Sequence, residues 1–217
     1  RRRNGKDHGT VLMPAIDETF LNELASDAPA PGGGGASAYV GALSAALASM
    51  VIAIAGRKRA YESIAGKLQE QTDMLASCRE ALVGLVEEDA VAFGALAATW
   101  KMPKSTPEER ARKSEAQQEA LVGACEVPMQ IMRICAKVIE IDHDLIGLVD
   151  RMILSDVGAS VIIALGAMKA AALNVRVNAA YMKDADAAQA YLGEVDDMIR
   201  TFEYSAQVVY DFVKDNV

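Results

Sequence analysis

Leu68, Leu75, Leu82 and Leu96 fall on a single seven-residue step, and Ile64, Cys78, Leu85 and Ala92 fill the interleaved positions. Such spacing keeps one face of a long helix apolar and makes a coiled-coil-like seam that has to be buried against other helices. The pattern follows the basic cluster Arg57-Lys58-Arg59 and runs to about Trp100. No segment shows strand alternation, and no internal repeat is visible. Alanine is abundant and aromatics reach only 5%, which favours helices packed closely through small side chains. The expected fold is all-α, a single helical-bundle domain with long antiparallel helices.

The other elements read as follows. Asp17 can cap a short helix through Ser26. The run Ala28–Gly35, Ala-Pro-Ala-Pro-Gly-Gly-Gly-Gly, must break regular structure. Ala36 to Ala55 is small and apolar and about as long as a membrane span, but its Ala, Gly and Ser content reads better as a buried central helix. Lys101–Pro107 ends the leucine seam. Thr106 and Glu109 form a capping box with Pro107 in the first turn, and that helix is expected to run to about Ile141 with a kink near Pro128. Asp142–Ser155 reads as a connector with some helical character, with Ser155 or Asp156 capping a second Ala-rich helix to Asn178. Asp184 or Asp186 opens the last helix, whose inward stripe is Tyr191, Val195, Met198, Phe202, Val209 and Phe212.

Composition narrows the function classes. Apolar residues make up 52% and charged residues 24% of 217 residues, enough for a sizeable core. A net charge of -8 argues against a general nucleic-acid binder. Cys78, Cys125 and Cys135 have no paired spacing, which suits a reduced, cytoplasmic protein and core-filling thiols. Two histidines, His8 and His143, lie far apart, so no metal site and no redox cofactor are expected. His143, between Asp142 and Asp144, reads as a solvated loop residue. Residues 1–15 are polar and basic, with no apolar core of a secretory signal, and are expected to be a mobile N-terminal tail ahead of a domain spanning 16–217.

Asp89 is the most telling residue. The seven-residue step from Leu82 lands on it, so a carboxylate occupies a place where the pattern asks for leucine. Burial raises a carboxylate pKa, which suits acid–base catalysis near neutral pH; the alternative is a buried Asp satisfied by an Arg or a backbone amide. Gly32, Gly33, Gly34 and Gly35 let backbone approach a ligand and aim free amides at it from a helix start, or else form a flexible turn. No Gly-Lys-Ser/Thr follows them, and no strand precedes them. Arg57, Lys58 and Arg59 could hold an anionic substrate tail, or form an ordinary solvated helix end.

The order of motifs adds to this. Phe20-Leu21, Leu24-Ala25, Ala30-Pro31-Gly32-Gly33-Gly34 and Gly41-Ala42-Leu43 through Met50-Val51 come first. Glu88-Asp89-Ala90-Val91-Ala92-Phe93, Met102-Pro103-Lys104, Thr106-Pro107-Glu108-Glu109 and Val127-Pro128 follow, then Ser155-Asp156-Val157-Gly158 and Leu173-Asn174-Val175. In this order they resemble the formiminotransferase-cyclodeaminase family, specifically its cyclodeaminase domain and the free-standing methenyltetrahydrofolate cyclohydrolases, over about Ile16 to Val217.

The resemblance implies an all-helical homodimer acting on a reduced folate without a metal. It implies that Asp89 is the acid–base residue and that Gly32–Gly35 contact the ligand. By the same resemblance Lys58 and Arg59 would hold the glutamate tail, and Asp156 and Asn174 would line the pocket. The chain departs from the family pattern at Ala53-Ile54-Ala55, where an Asn-Leu-Thr-like segment is usual, at Arg57, where glycine stands, and within Val149–Arg151, where Gly-Asn is usual. These positions are expected to border the pocket.

The expected activity is hydrolysis of 5,10-methenyltetrahydrofolate to the 10-formyl compound. The alternatives are a formiminotetrahydrofolate cyclodeaminase, which releases ammonia, and a helical folate-binding or dimerisation module without catalysis. The cyclohydrolase is favoured because 217 residues leave no room for a formiminotransferase domain, and because attacking water tolerates an altered pocket border better than a cyclisation does. The Ala-rich stretches Ala36–Ala55 and Val157–Ala172 offer more small apolar surface than one copy can cover, which supports the homodimer. No nucleic-acid or membrane partner is expected.

Overall fold

A computed structural model describes residues 16–217, and the expected tail at residues 1–15 lies outside the described residues. Six α-helices make up the described chain: α1 (Glu18–Leu24), α2 (Gly33–Ala55), α3 (Ala65–Trp100), α4 (Pro107–Leu145), α5 (Arg151–Ala179) and α6 (Ala185–Asn216). A short 3-10 helix, Arg59–Ile64, leads into α3. No strand occurs among the described residues.

The leucine seam is the inner face of α3. Leu68, Leu75, Cys78, Leu82, Leu85 and Leu96 are buried, with Ile64 and Ala92 packed at the margin. Asp17 caps α1, its carboxylate accepting from the Phe20 N–H at 3.1 Å. The capping box of α4 forms as its residues require: Thr106 Oγ1 accepts from the Glu109 N–H at 3.2 Å, and the Glu109 carboxylate accepts from the Thr106 N–H at 3.1 Å.

Helix α2 lies against α3, α4 and α5 and runs antiparallel to α5. Three pairs fix that register. Gly33 abuts Asn174 at one end, Ser44 and Ser160 exchange hydrogen bonds in the middle, and Lys58 pairs with Asp150 at the other end. Small residues set the spacing. A Cβ on Gly41 would come within 3.1 Å of Cys135 Sγ, and one on Gly158 within 2.9 Å of Val213.

Several expectations are corrected. The apolar stretch begins its helix at Gly33, not Ala36, so three of the four glycines lie inside the first turn of α2. Helix α4 continues past Ile141 to Leu145. Asp142 is therefore helical and fully buried, on the stripe of Cys135, Val138 and Leu145, and His143 sits in the last turn of the helix. The triplet Asp142-His143-Asp144 has the polarity of a loop because one of its members is a polar residue in the core. The connector shrinks to Ile146–Asp150, Asp150 occupies the N-cap position of α5, and Ser155 and Asp156 lie within that helix. In α6 the inward stripe closes on Ala206, Val209 and Val213, while Phe212 is 38% exposed.

Helix α2 is central, yet only one side of it is covered. Val40, Leu43 and Met50 on α2, and Met152, Ile162, Leu173 and Val177 on α5, are exposed. Both helices are long and apolar enough to cross a membrane by length and composition, and about half of each apolar stretch is buried in the bundle.

Candidate active site

Asp89 sits two turns beyond Leu82 on α3, half-buried against the start of α2. The first N–H groups of a helix have no partner within it. One of them, Gly35 N–H, donates to Asp89 Oδ2 at 2.9 Å. Of the two readings of Asp89, the backbone amide is the observed partner, and it leaves Oδ1 free of any protein donor among the described residues. Burial pushes the Asp89 pKa up, and the Gly35 N–H offsets only part of that rise.

The four glycines are not equivalent. A Cβ on Gly34 would fall 1.9 Å from Asp89 Oδ1 and 2.4 Å from its Cγ, so no side chain fits there. A Cβ on Gly33 would make ordinary contact, 3.6 Å, with the Asn174 amide. Gly35 would tolerate a Cβ at 3.5 Å from Pro31, and Gly32 has open space. None has a positive φ. The run therefore serves close approach, at Gly34 above all, and not an unusual backbone conformation.

Asp89, Gly32, Gly33, Gly34 and Asn174 meet in one cleft of about 180 Å³, walled by Phe93, Leu96 and Val177. Ligand pockets commonly span ~300–1,000 Å³, so this cleft admits one end of a large ligand and not the whole of it. Its lining holds one ionisable group, Asp89. Asn178, one helical turn beyond Asn174, also lines the cleft, and its Nδ2 donates to the Ala124 carbonyl at 2.6 Å. Sequence reasoning missed Asn178, Phe93 and Val177. The signals present were the four-residue steps from Asp89 to Phe93 and from Asn174 to Asn178, which put each pair on one helix face.

The remaining candidates lie elsewhere. The 23 residues of α2 place Lys58 and Arg59 about 35 Å from Gly33 along the helix. Lys58 pairs with Asp150, and Arg59 lies 3.8 Å from Glu62. Arg57 is exposed at the same end. Asp156, half-buried near the start of α5, is separated from Asn174 by five turns of that helix. Within one chain, the structure groups Asp89, the glycines and Asn174, and sets Lys58, Arg59 and Asp156 at the opposite end of the bundle. Among the described residues no group of three His, Cys, Asp or Glu side chains is arranged to hold a metal ion.

The described residues thus form an all-helical fold with one half-buried carboxylate, Asp89, at a glycine-walled cleft. The chain matches the Formiminotransferase-cyclodeaminase family over residues 17–197 and belongs to that family. It is 36% identical to a methenyltetrahydrofolate cyclohydrolase of Methylorubrum extorquens over 200 residues, covering 92% of this chain and 96% of that protein. It is 38% identical to the formimidoyltransferase-cyclodeaminase of Rattus norvegicus over 120 residues, 55% of this chain but 22% of that larger protein. The fold is that of a formiminotetrahydrofolate cyclodeaminase from Thermotoga maritima, with a TM-score of 0.76 over 93% of this chain and 94% of that one at 23% identity.

Proposed function

We propose that this protein is a folate one-carbon enzyme that hydrolyses 5,10-methenyltetrahydrofolate to 10-formyltetrahydrofolate, with Asp89 as its acid–base residue. The observation that carries the reading is the Asp89 carboxylate itself, half-buried at the cleft and held through one oxygen by Gly35 N–H. The relative matched over 96% of its length bears the same activity in its name.

The methenyl bridge is a cationic N5–C–N10 unit. Ionised Asp89 takes a proton from water as the water oxygen bonds to the bridging carbon, giving a neutral tetrahedral adduct. Protonated Asp89 then delivers that proton to N5 as the C–N5 bond breaks. The hydroxyl proton of the adduct leaves to solvent, and the formyl group stays on N10. One carboxylate thus serves as base and then as acid, and a pKa raised toward neutrality suits both steps. The scheme uses no metal and no redox group.

Gly34 gives Asp89 the space it occupies, and Gly33 and Asn174 flank the reacting carbon. The exposed apolar faces of α2 and α5 are read as the contact between two copies. In such a pair, each copy's Lys58 and Arg59 could serve the glutamate tail of a folate in the other's cleft, with Asp156 beside them. The free, buried cysteines suit a reducing cytoplasm.

The second reading, ammonia release from the formimino compound, is favoured by the 38% identity to the rat protein. Absorbance loss of methenyltetrahydrofolate, measured beside ammonia release on one preparation, decides between them. The cyclohydrolase reading expects the larger kcat/KM for the methenyl compound; turnover of neither compound would return the domain to a binding module.

A further inference from the structure

Pro128 lies inside α4 and is buried. Proline has no N–H, so in a helix it leaves the carbonyl four residues back without its usual donor. That carbonyl belongs to Ala124. Asn178, reaching across from α5, donates its Nδ2 to Ala124 O at 2.6 Å. A carbonyl oxygen only accepts, so the nitrogen of the Asn178 amide must face it. The orientation of this amide is fixed by chemistry, and Oδ1 is the atom left for the cleft that Asn178 lines. Among the described residues no donor is paired with it. Asn174, one turn earlier, is held in the same sense: its Nδ2 donates to Ala170 O at 3.1 Å. The side chains of the cleft therefore offer acceptors, the Asp89 carboxylate and two amide oxygens, and no cation.

We propose that Pro128 is a positioning residue which, through the Ala124 carbonyl, aims Asn178 Oδ1 into the cleft, where it recognises the positive charge of the ligand's one-carbon bridge. The inference rests on the cyclohydrolase reading and adds a selectivity to it. The methenyl substrate carries a cationic N–C–N unit; the formyl product is neutral there. Acceptor oxygens from Asp89, Asn174 and Asn178 favour the first over the second. Recognition of this kind acts equally on the bound substrate and on an early transition state that still carries most of the charge, so it lowers KM for the cation and leaves kcat nearly unchanged.

Two variants test this. Asn178→Leu removes the acceptor and keeps the volume. Pro128→Ala leaves Asn178 in place but gives Ala124 O a backbone N–H, releasing the amide to turn. Both are measured in steady state for KM with methenyltetrahydrofolate and for Ki of 10-formyltetrahydrofolate as product inhibitor. The contact between the Asn178 oxygen and the cationic bridge is charge–dipole, and in a partly dry cleft it is strong enough to expect KM to rise roughly tenfold in Asn178→Leu. Ki should move by less than about twofold and kcat by less than about threefold. Pro128→Ala should move KM in the same direction by a smaller factor, with a melting temperature equal to or above the parent's.

A parallel rise of KM and Ki in both variants would mean that Asn178 merely shapes the cleft, and overturns the proposal. So does an unchanged KM in Pro128→Ala, which decides the matter even if Asn178→Leu does not fold. Failure of the parent to bind either folate is a different outcome: it removes the cyclohydrolase reading, and this inference with it.

Discussion

The Asp89 carboxylate occupies the space where a side chain on Gly34 would stand: a Cβ built there lies 1.9 Å from Oδ1 and 2.4 Å from Cγ. Gly34→Ala must therefore push the carboxylate out of the cleft or break its bond with Gly35 N–H. We expect kcat/KM to fall about 10²-fold, since misplacement by about 1 Å can cost that much. Gly66→Ala, in α3 with nothing within 4 Å, supplies the baseline for an alanine added to a helix. Equal activity of the two variants would show that Asp89 does not need its observed place.

Asp89→Asn keeps the shape and loses the proton. Turnover should drop by a factor of ~10²–10⁴ with little change in melting temperature. In the parent, kcat/KM should fall as the pH is lowered through the raised pKa of Asp89, at a pH above the ordinary carboxylate range, because only the ionised form takes the proton from water. The variant should lose that acid limb from its residual rate. Turnover within a few-fold of the parent would reduce Asp89 to a buried polar residue.

Asp142 makes stability depend on pH. It is fully buried, and neither carboxylate oxygen has a hydrogen-bond partner of ordinary geometry. The Ser160 hydroxyl, whose proton is directed at Ser44 O, offsets only part of the effect. Burial thus raises the folded-state pKa well above the ordinary 3.8. Between those two values the unfolded chain has lost the proton and the folded chain retains it. The contribution is fully present below the unfolded pKa and is lost as pH rises toward the folded one. Urea midpoints measured from pH 5 to pH 8 should decline, and Asp142→Asn should flatten the decline. Identical pH profiles for parent and variant would count against this assignment.

The uncovered faces of α2 and α5 predict association. Leu43 is 52% exposed on a helix that has no charged residue from Gly33 to Gly56. Sedimentation at micromolar concentration should give twice the chain mass for the parent and the chain mass for Leu43→Glu. A parent that sediments as a monomer would remove the pairing, and with it the tail-binding role of Lys58 and Arg59.

The helices were legible wherever one face of the sequence repeats with helical spacing. The α3 seam, the Thr106–Glu109 cap and the Asp184 cap are local signals, and the structure keeps them. Asp89 stood out for the same reason, as a break in a regular pattern. What failed was polarity read as exposure. Asp142 is charged and flanked by polar residues, which suggests a connector, yet it faces the core. The relation of Asp89 to Lys58, Arg59 and Asp156 was beyond a linear reading, because distance along α2 and α5 separates residues that the motif order had grouped. The role of Asn178 depends on a proline in another helix, and no local pattern carries that.

The three glycines in the first turn of α2 have a consequence for motion. Each is roughly 1 kcal/mol less favourable in a helix than alanine, and the turn has no side-chain cap on Gly32. The start of this helix is therefore the part most ready to fray, although the rest of α2 is embedded in the bundle. A ligand seated across it would suppress that opening. Amide hydrogen exchange at Gly33–Ala36 should slow on adding folate far more than at Ala45–Ile52, marking the cleft end of α2 as the segment whose order is completed by the ligand.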